Sequence, residues 1–156
     1  MNPRRLDVES YRDTLLRVSG RLNDKMYGPS EDVDSDTNIR RTVYARVSRG
    51  RVSKLFRLYD FPDATQTAPS RDLTTSSLQQ LFVMNSSFMQ ENAVALANSL
   101  QADGDNSAKI RELFRKALGR DPSPKELDIA LTYLANGTPE QFAHILLSSN
   151  ELIFCP

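Results

Sequence analysis

The stretch "SPKELDIALTYLANGTPEQFAHILL" (Ser123–Leu147) decides the fold class. It holds two helix starts of one design. Ser123 is followed by Pro124 and Glu126, and Thr138 by Pro139 and Gln141. A hydroxyl that accepts from the third amide, with a Glu or Gln there reaching back, is a capping box, and proline suits the first helical position. The spacing predicts a helix burying Leu127, Ala130, Leu131 and Leu134. A second follows, burying Phe142, Ile145 and Leu146. Upstream, Ile110, Leu113, Phe114, Ala117 and Leu118 form a third, closed by Gly119. Three short capped helices joined by tight turns read as a compact bundle.

The N-terminal two thirds are less regular. Leu6, Tyr11, Leu15, Val18, Leu22 and Met26 recur at threes and fours, an amphipathic helix that Gly20 interrupts or ends. "YGPSEDVDSDTN" is an acidic loop. In "IRRTVYARVSRGR" Val43, Ala45 and Val47 alternate with Thr42, Tyr44 and Arg46, which suggests a short strand or hairpin near residues 41–48. "VSKLFRLYDFPD" reads as a short helix with Val52, Leu55, Phe56 and Tyr59 inward, stopped by Pro62. "ATQTAPSRD" is a polar linker, and "QADGDNS" is a loop. Between them "TTSSLQQLFVMNSSF" (Thr74–Phe88) opens a helical pattern that runs to Leu100. Thr74 or Thr75 would cap it, with Leu78, Leu81 and Phe82 inward. The pattern is one helix, or two that break near Asn85. The fold class is therefore mainly α, an irregular helical bundle. The division is a helical domain at 1–102, with the acidic loop and extended arm, and a three-helix subdomain at 107–156 packed on it.

Bulk properties narrow the function. The chain has 156 residues, 39% hydrophobic and 26% charged, with a formal net charge of +0. That is ordinary for a globular domain and gives no global pull toward nucleic acid or an anionic membrane. No apolar run approaches the length of a bilayer span. The only cysteine is Cys155 and the only histidine is His144. A lone cysteine excludes an internal disulfide and a cysteine-rich zinc site, and CxxCH haem attachment is impossible. No P-loop, GxGxxG, HExxH or GxSxG occurs. No cofactor is expected.

Each remaining polar feature has a structural reading beside the functional one. Arg40, Arg41, Arg46, Arg49, Arg51, Lys54 and Arg57 lie in a segment without an acid. They could contact phosphate, but a solvated face paired with Glu31, Asp32, Asp34 and Asp36 is the favoured reading. A DNA-reading helix-turn-helix is disfavoured, because the last long helix carries no Arg or Lys. His144 could be a general base, yet a histidine in an apolar helix is more often packed and hydrogen-bonded. Asp60 and Asp63 flank "FP", a weak cation site and a better turn. "RDLTTSSLQ" could hold an anion at a helix start, although cap chemistry suffices. The binding candidates are Arg41, Tyr44, Arg71, Thr74, Thr75, Gln79 and Asn85. Gln79 and Asn85 are six residues apart, not quite on one helical face.

Several phrases in order carry a resemblance: "NPRRLDVESYRDTLLRVSGRL", "RRTVYARVSR", "LFRLYDFPD", "TTSSLQQLFVMNSSF", "LFRKALGRDPSPKELDIALTYL" and "HILLSSNELIF". The set resembles the C-terminal domain of unknown function, family fifteen fifty-three, of planctomycete proteins that also carry planctomycete-type cytochrome c modules. Ser77 stands where the family commonly has proline, and Ser149 where it has asparagine. The resemblance implies an extracytoplasmic (periplasmic or cell-surface) setting. It implies the remaining domains of the parent protein as partners, cytochrome c modules among them, and it brings no catalytic residues. The chain is expected to be an excised fragment and a structural or protein-interaction module. It is not expected to be an enzyme by itself, to touch a membrane or to bind nucleic acid. A homodimer through a face uncovered by excision is a further expectation. The alternative function is part of an enzyme or ligand-binding site completed by the missing N-terminal domain.

Overall fold

A computed structural model describes residues 4–62, 65, 67, 69–71, 74–100 and 105–155. Among them the fold is mainly helical. β1 (Arg4–Arg5) leads into α1 (Val8–Val18), and a long irregular segment reaches α2 (Lys54–Leu58). Then come α3 (Ser77–Asn85), α4 (Ser87–Asn98), α5 (Asn106–Leu118), α6 (Pro124–Leu134), α7 (Pro139–Leu147) and α8 (Asn150–Ile153), before β2 (Phe154–Cys155). β1 and β2 form an antiparallel pair with Arg5 opposite Phe154, so the start and end of the described chain are joined.

Local chemistry explains most boundaries. Asp7 caps α1 by accepting from the Ser10 amide at 2.8 Å. Gly20, at φ 73, ends the region, because glycine enters the left-handed conformation without a Cβ clash. Both capping boxes, Ser123 with Glu126 and Thr138 with Gln141, are formed, and Gly119 closes α5 at φ 70. The pattern from Thr74 to Leu100 breaks at Ser86, which ends α3 and caps α4 through its hydroxyl.

One cluster of buried apolar side chains fills the interior. Tyr11 and Leu15 of α1, Phe56 of α2 and Met89 and Leu96 of α4 meet Ile110, Leu113 and Leu147 from the C-terminal helices. α4 packs chiefly on α7, and α1 touches α4. Rows of side chains at threes and fours supply the driving area, on the order of 1.5–3 kcal/mol for each fully buried large side chain.

Several expectations need correction. Residues 41–48 are not a strand or hairpin. Thr42–Tyr44 is a 3-10 turn, flanked by isolated bridges Glu31 to Ala45 and Ser48 to Arg51. Alternation is present there, but Val43 and Val47 point to solvent and only Thr42 is buried. The first helix stops at Val18, so Gly20 marks the early end the sequence offered, and Met26 lies beyond it, exposed. α3 is capped by Ser76, not Thr74 or Thr75. Its inward residues are Gln79 and Val83, with Phe82 half-buried, while Leu78 and Leu81 are exposed. Leu131 and Ile145 are likewise outward. In α3 the cause is polar: a buried arginine takes the Gln79 side chain and sets the helix rotation. Asp63 and the loop at 101–104 lie outside the described residues.

Candidate functional site

The polar cluster that gathers the candidate residues Thr74, Thr75 and Gln79 is built around Arg5. Its side chain is only 5% exposed, in β1, where the ladder to β2 fixes the backbone. Nη1 donates to Gln79 Oε1 at 2.6 Å and to the carbonyl of Thr74. Nη2 donates to Asp60 Oδ2 at 3.1 Å. The guanidinium lies over the Tyr59 ring, 5.5 Å from its centroid. Asp60 in turn accepts from the Thr74 amide at 2.9 Å and from the Thr74 hydroxyl at 2.8 Å. Gln79 donates from Nε2 to the Leu58 carbonyl at 2.8 Å. Four segments are thus knotted: β1, the turn after α2, the strand-like entry to α3, and α3 itself.

Asp60 sits at φ 58, a conformation aspartate tolerates better than most residues. Burial pushes its carboxyl upward, but hydrogen bonds from Thr74 and Arg5 outweigh burial and hold it below the usual carboxylate value. Tyr59 is pushed up to about 12 by burial, against the pull of Arg5. Both carboxylate oxygens of Asp60 and both ends of the Gln79 amide are engaged within the chain. This is the chemistry of a latch. Three donors, from Arg5 and from the amide and hydroxyl of Thr74, converge on the one carboxylate and tie β1 to the entry of α3. A cleft of about 50 Å³ adjoins the latch, walled by Tyr59, Thr75, Gln80, Val83 and Phe154. Arg5 Nε is buried without a hydrogen-bond partner.

The structure brings Thr74, Thr75 and Gln79 to this one place. Arg71 stands one step away, paired through both terminal nitrogens with Glu9 at 2.7 and 2.8 Å and lying over Phe61. Asn85 is exposed and bonds the Leu81 carbonyl at 3.1 Å. Six residues of helix separate it from Gln79, roughly 9 Å along the axis. Arg41 and Tyr44 belong to a different group: Arg41 is exposed, and the Tyr44 hydroxyl accepts from the Tyr27 amide at 3.0 Å. His144 is half-buried, and its Nε2 lies 2.8 Å from the Val83 carbonyl.

Sequence reasoning missed the buried arginines. Beside Arg5, Arg12 donates to the carbonyls of Arg40 and Asn38 and to the Thr42 hydroxyl. Burial lowers its pKa, partly offset by Asp13. Arg40 donates to the carbonyls of Tyr27 and Pro29 at 2.7 and 2.9 Å. The available signal was position: Arg12 falls on the helical face of Val8 and Leu15, where a purely solvated residue would not be placed. Among the described residues no group of three or more His, Cys, Asp or Glu is placed to hold a metal ion, and no helix is long and apolar enough to cross a membrane.

The latch draws on separate parts of the sequence. Arg5 comes from "PRRLD", Asp60 from "YDFPD", Thr74 and Gln79 from "TTSSLQQ", and Phe154 from "NELIF". A family model described as PSD1, protein of unknown function (DUF1553), matches residues 1–134. The chain belongs to this family. The match to PSD1 covers Arg5, Asp60, Thr74 and Gln79, while α7, α8 and β2 lie beyond it. No curated protein and no solved structure matches the chain.

Proposed function

We propose that this PSD1-family chain is a structural and protein-interaction module of a larger extracytoplasmic planctomycete protein, docked against its remaining domains, cytochrome c modules among them. One observation carries the reading: α3 turns large apolar side chains to solvent. Its inner face holds Gln79, Val83 and the half-buried Phe82, and its outer face presents Leu78 (66% exposed), Leu81 (53%) and Met84 (65%). A surface helix normally turns a polar face to water, and a contiguous apolar stripe marks a contact surface. Met84 also lines an open cleft of about 540 Å³ with Tyr133, His144 and Ile145. The latch supports the same reading, because its polar groups hold the domain's own segments together.

The alternative, part of an active site shared with another domain, asks the polar candidates to gather on one concave face. Tyr44 stands with Tyr27 instead, Arg41 is exposed, and Asn85 lies at the far end of α3. Two measurements test the proposal. The chain is screened against a broad set of hydrolase substrates, and no saturable turnover is expected; saturable turnover sinks the module reading. Leu81→Glu with Met84→Glu is expected to leave Tm nearly unchanged and to reduce binding of an apolar dye. A steep loss of Tm would place this face in the core rather than at a contact.

A further inference from the structure

The acidic loop, α2 and the break between α3 and α4 enclose a cleft of about 250 Å³. At about 30 Å³ per water in the liquid, that holds roughly eight waters, the size class of one amino acid rather than of a nucleotide. Val33, Leu55, Leu58, Phe82 and Phe88 give it an apolar lining. Asp34, Asp36 and Lys54 add exposed charge of both signs, and the buried Arg12 completes the wall. Local bonds hold these walls in place. Asp32 Oδ1 accepts from the Asp34 amide at 3.0 Å, and Asn38 Nδ2 donates to the Asp32 carbonyl at 3.0 Å, which fixes the loop. Asp34 joins the loop to α2 by accepting from the amides of Lys54 and Leu55 at 2.7 and 3.1 Å. On the other side the Ser86 cap sets the turn into α4. A cleft between held segments needs little reordering to receive a ligand.

The four charges are engaged unequally. Both carboxylate oxygens of Asp34 are taken by α2 amides. Arg12 donates to the carbonyls of Arg40 and Asn38 and to the Thr42 hydroxyl, and its guanidinium lies 5.5 Å from the centroid of the Phe88 ring. No carboxylate bonds it: its neighbour Asp13 accepts from the amide and hydroxyl of Thr42 at 2.7 and 2.6 Å instead. Among the described residues Asp36 meets only the Ser87 hydroxyl, at 3.4 Å, and the Lys54 ammonium has no partner. Asp36 and Lys54 therefore line one cleft without pairing across it.

We infer that this cleft binds a free α-amino acid with an apolar side chain, its ammonium on Asp36, its carboxylate on Lys54, and its side chain against Leu55, Leu58, Phe82 and Phe88. Two cations and two anions line the cleft, so a ligand of one sign meets a like charge as well as an opposite one. A zwitterion is matched at both ends, and the buried Arg12 adds positive potential without offering a free carboxylate to compete. The apolar lining rewards a side chain that leaves water. The inference goes beyond the module reading and does not rest on it.

The test is isothermal titration of the intact chain with leucine, methionine and phenylalanine. Saturable binding of at least one is expected. Isocaproate and isopentylamine are leucine without its ammonium and without its carboxylate, and glycine lacks the side chain. Each should bind weaker than the best amino acid by about tenfold or more. Asp36→Asn and Lys54→Met should each weaken that amino acid by about tenfold with Tm unchanged, because both side chains are exposed. Lys54→Arg keeps the cation and should bind like the native chain, which separates a lost charge from a disturbed fold. The inference is overturned if none of the amino acids saturates, or if isocaproate, isopentylamine or glycine matches the best of them. It is also overturned if Asp36→Asn and Lys54→Met bind unchanged, or if Lys54→Arg loses binding while its Tm holds.

Discussion

Single arginines organise much of this molecule. Arg12 replaces a missing strand ladder: its donors satisfy carbonyls of Asn38 and Arg40, which the irregular segment before α2 would otherwise bury unpaired. Arg12→Ala should destabilise by about 3–5 kcal/mol in urea unfolding, because it strands those acceptors and opens space beside Phe88. Arg12→Lys should recover little, since one ammonium cannot reproduce a planar fork. Arg120 does comparable work at the surface, bonding Glu151 at 2.6 Å and Glu126 at 2.8 Å. Hydrogen bonds from Arg120, and then from Ser123, depress Glu126 from its ordinary 4.5 to about 2. A carboxylate with a depressed folded pKa stabilises fully above its unfolded value and loses that contribution as pH falls through the folded one. Tm should therefore fall between pH 4.5 and about 2. Arg120→Gln should flatten that slope; an unchanged slope would exclude Glu126 as its source.

At the scale of elements, helix starts and stops are set by a few side chains. Ser86 both ends α3 and caps α4, so Ser86→Ala should cost about 1–2 kcal/mol and let the two helices fray together. A loss within error of zero would mean that the break is imposed by packing alone. Gly119→Ala, at φ 70, should cost about 1 kcal/mol by the same measurement. These features were legible in the sequence because they are local: a serine, a proline and a glutamate at fixed spacing act through bonds within one turn. The inner face of α3 was not legible. Leu78 and Leu81 look like core residues by hydropathy, and only the distant Arg5 makes Gln79 the buried one. Residues 41–48 failed for a related reason. Alternation of valine with polar residues reads as a strand, but here Arg12 and Asp13 take the Thr42 side chain inward and Val43 and Val47 are left in water. Of the candidate residues, Thr74, Thr75 and Gln79 meet at the latch, a convergence no periodicity could foretell.

Across the whole molecule, the latch and the β1–β2 pair close the chain on itself. The Leu6 amide bonds the Ile153 carbonyl at 2.9 Å, and Arg5 reaches the turn after α2 and the start of α3 from the same strand. Helices distant in sequence then share one core, with α4 against α7. The Arg5 cluster is thus a lock on this arrangement. A double-mutant cycle in urea unfolding, with Arg5→Gln, Asp60→Asn and the pair, tests it most directly. Each single change is expected to destabilise and the two to couple by about 2 kcal/mol, because each residue holds the other and Thr74 in one network. Single changes that are neutral, or effects that add within about 0.5 kcal/mol, would contradict it.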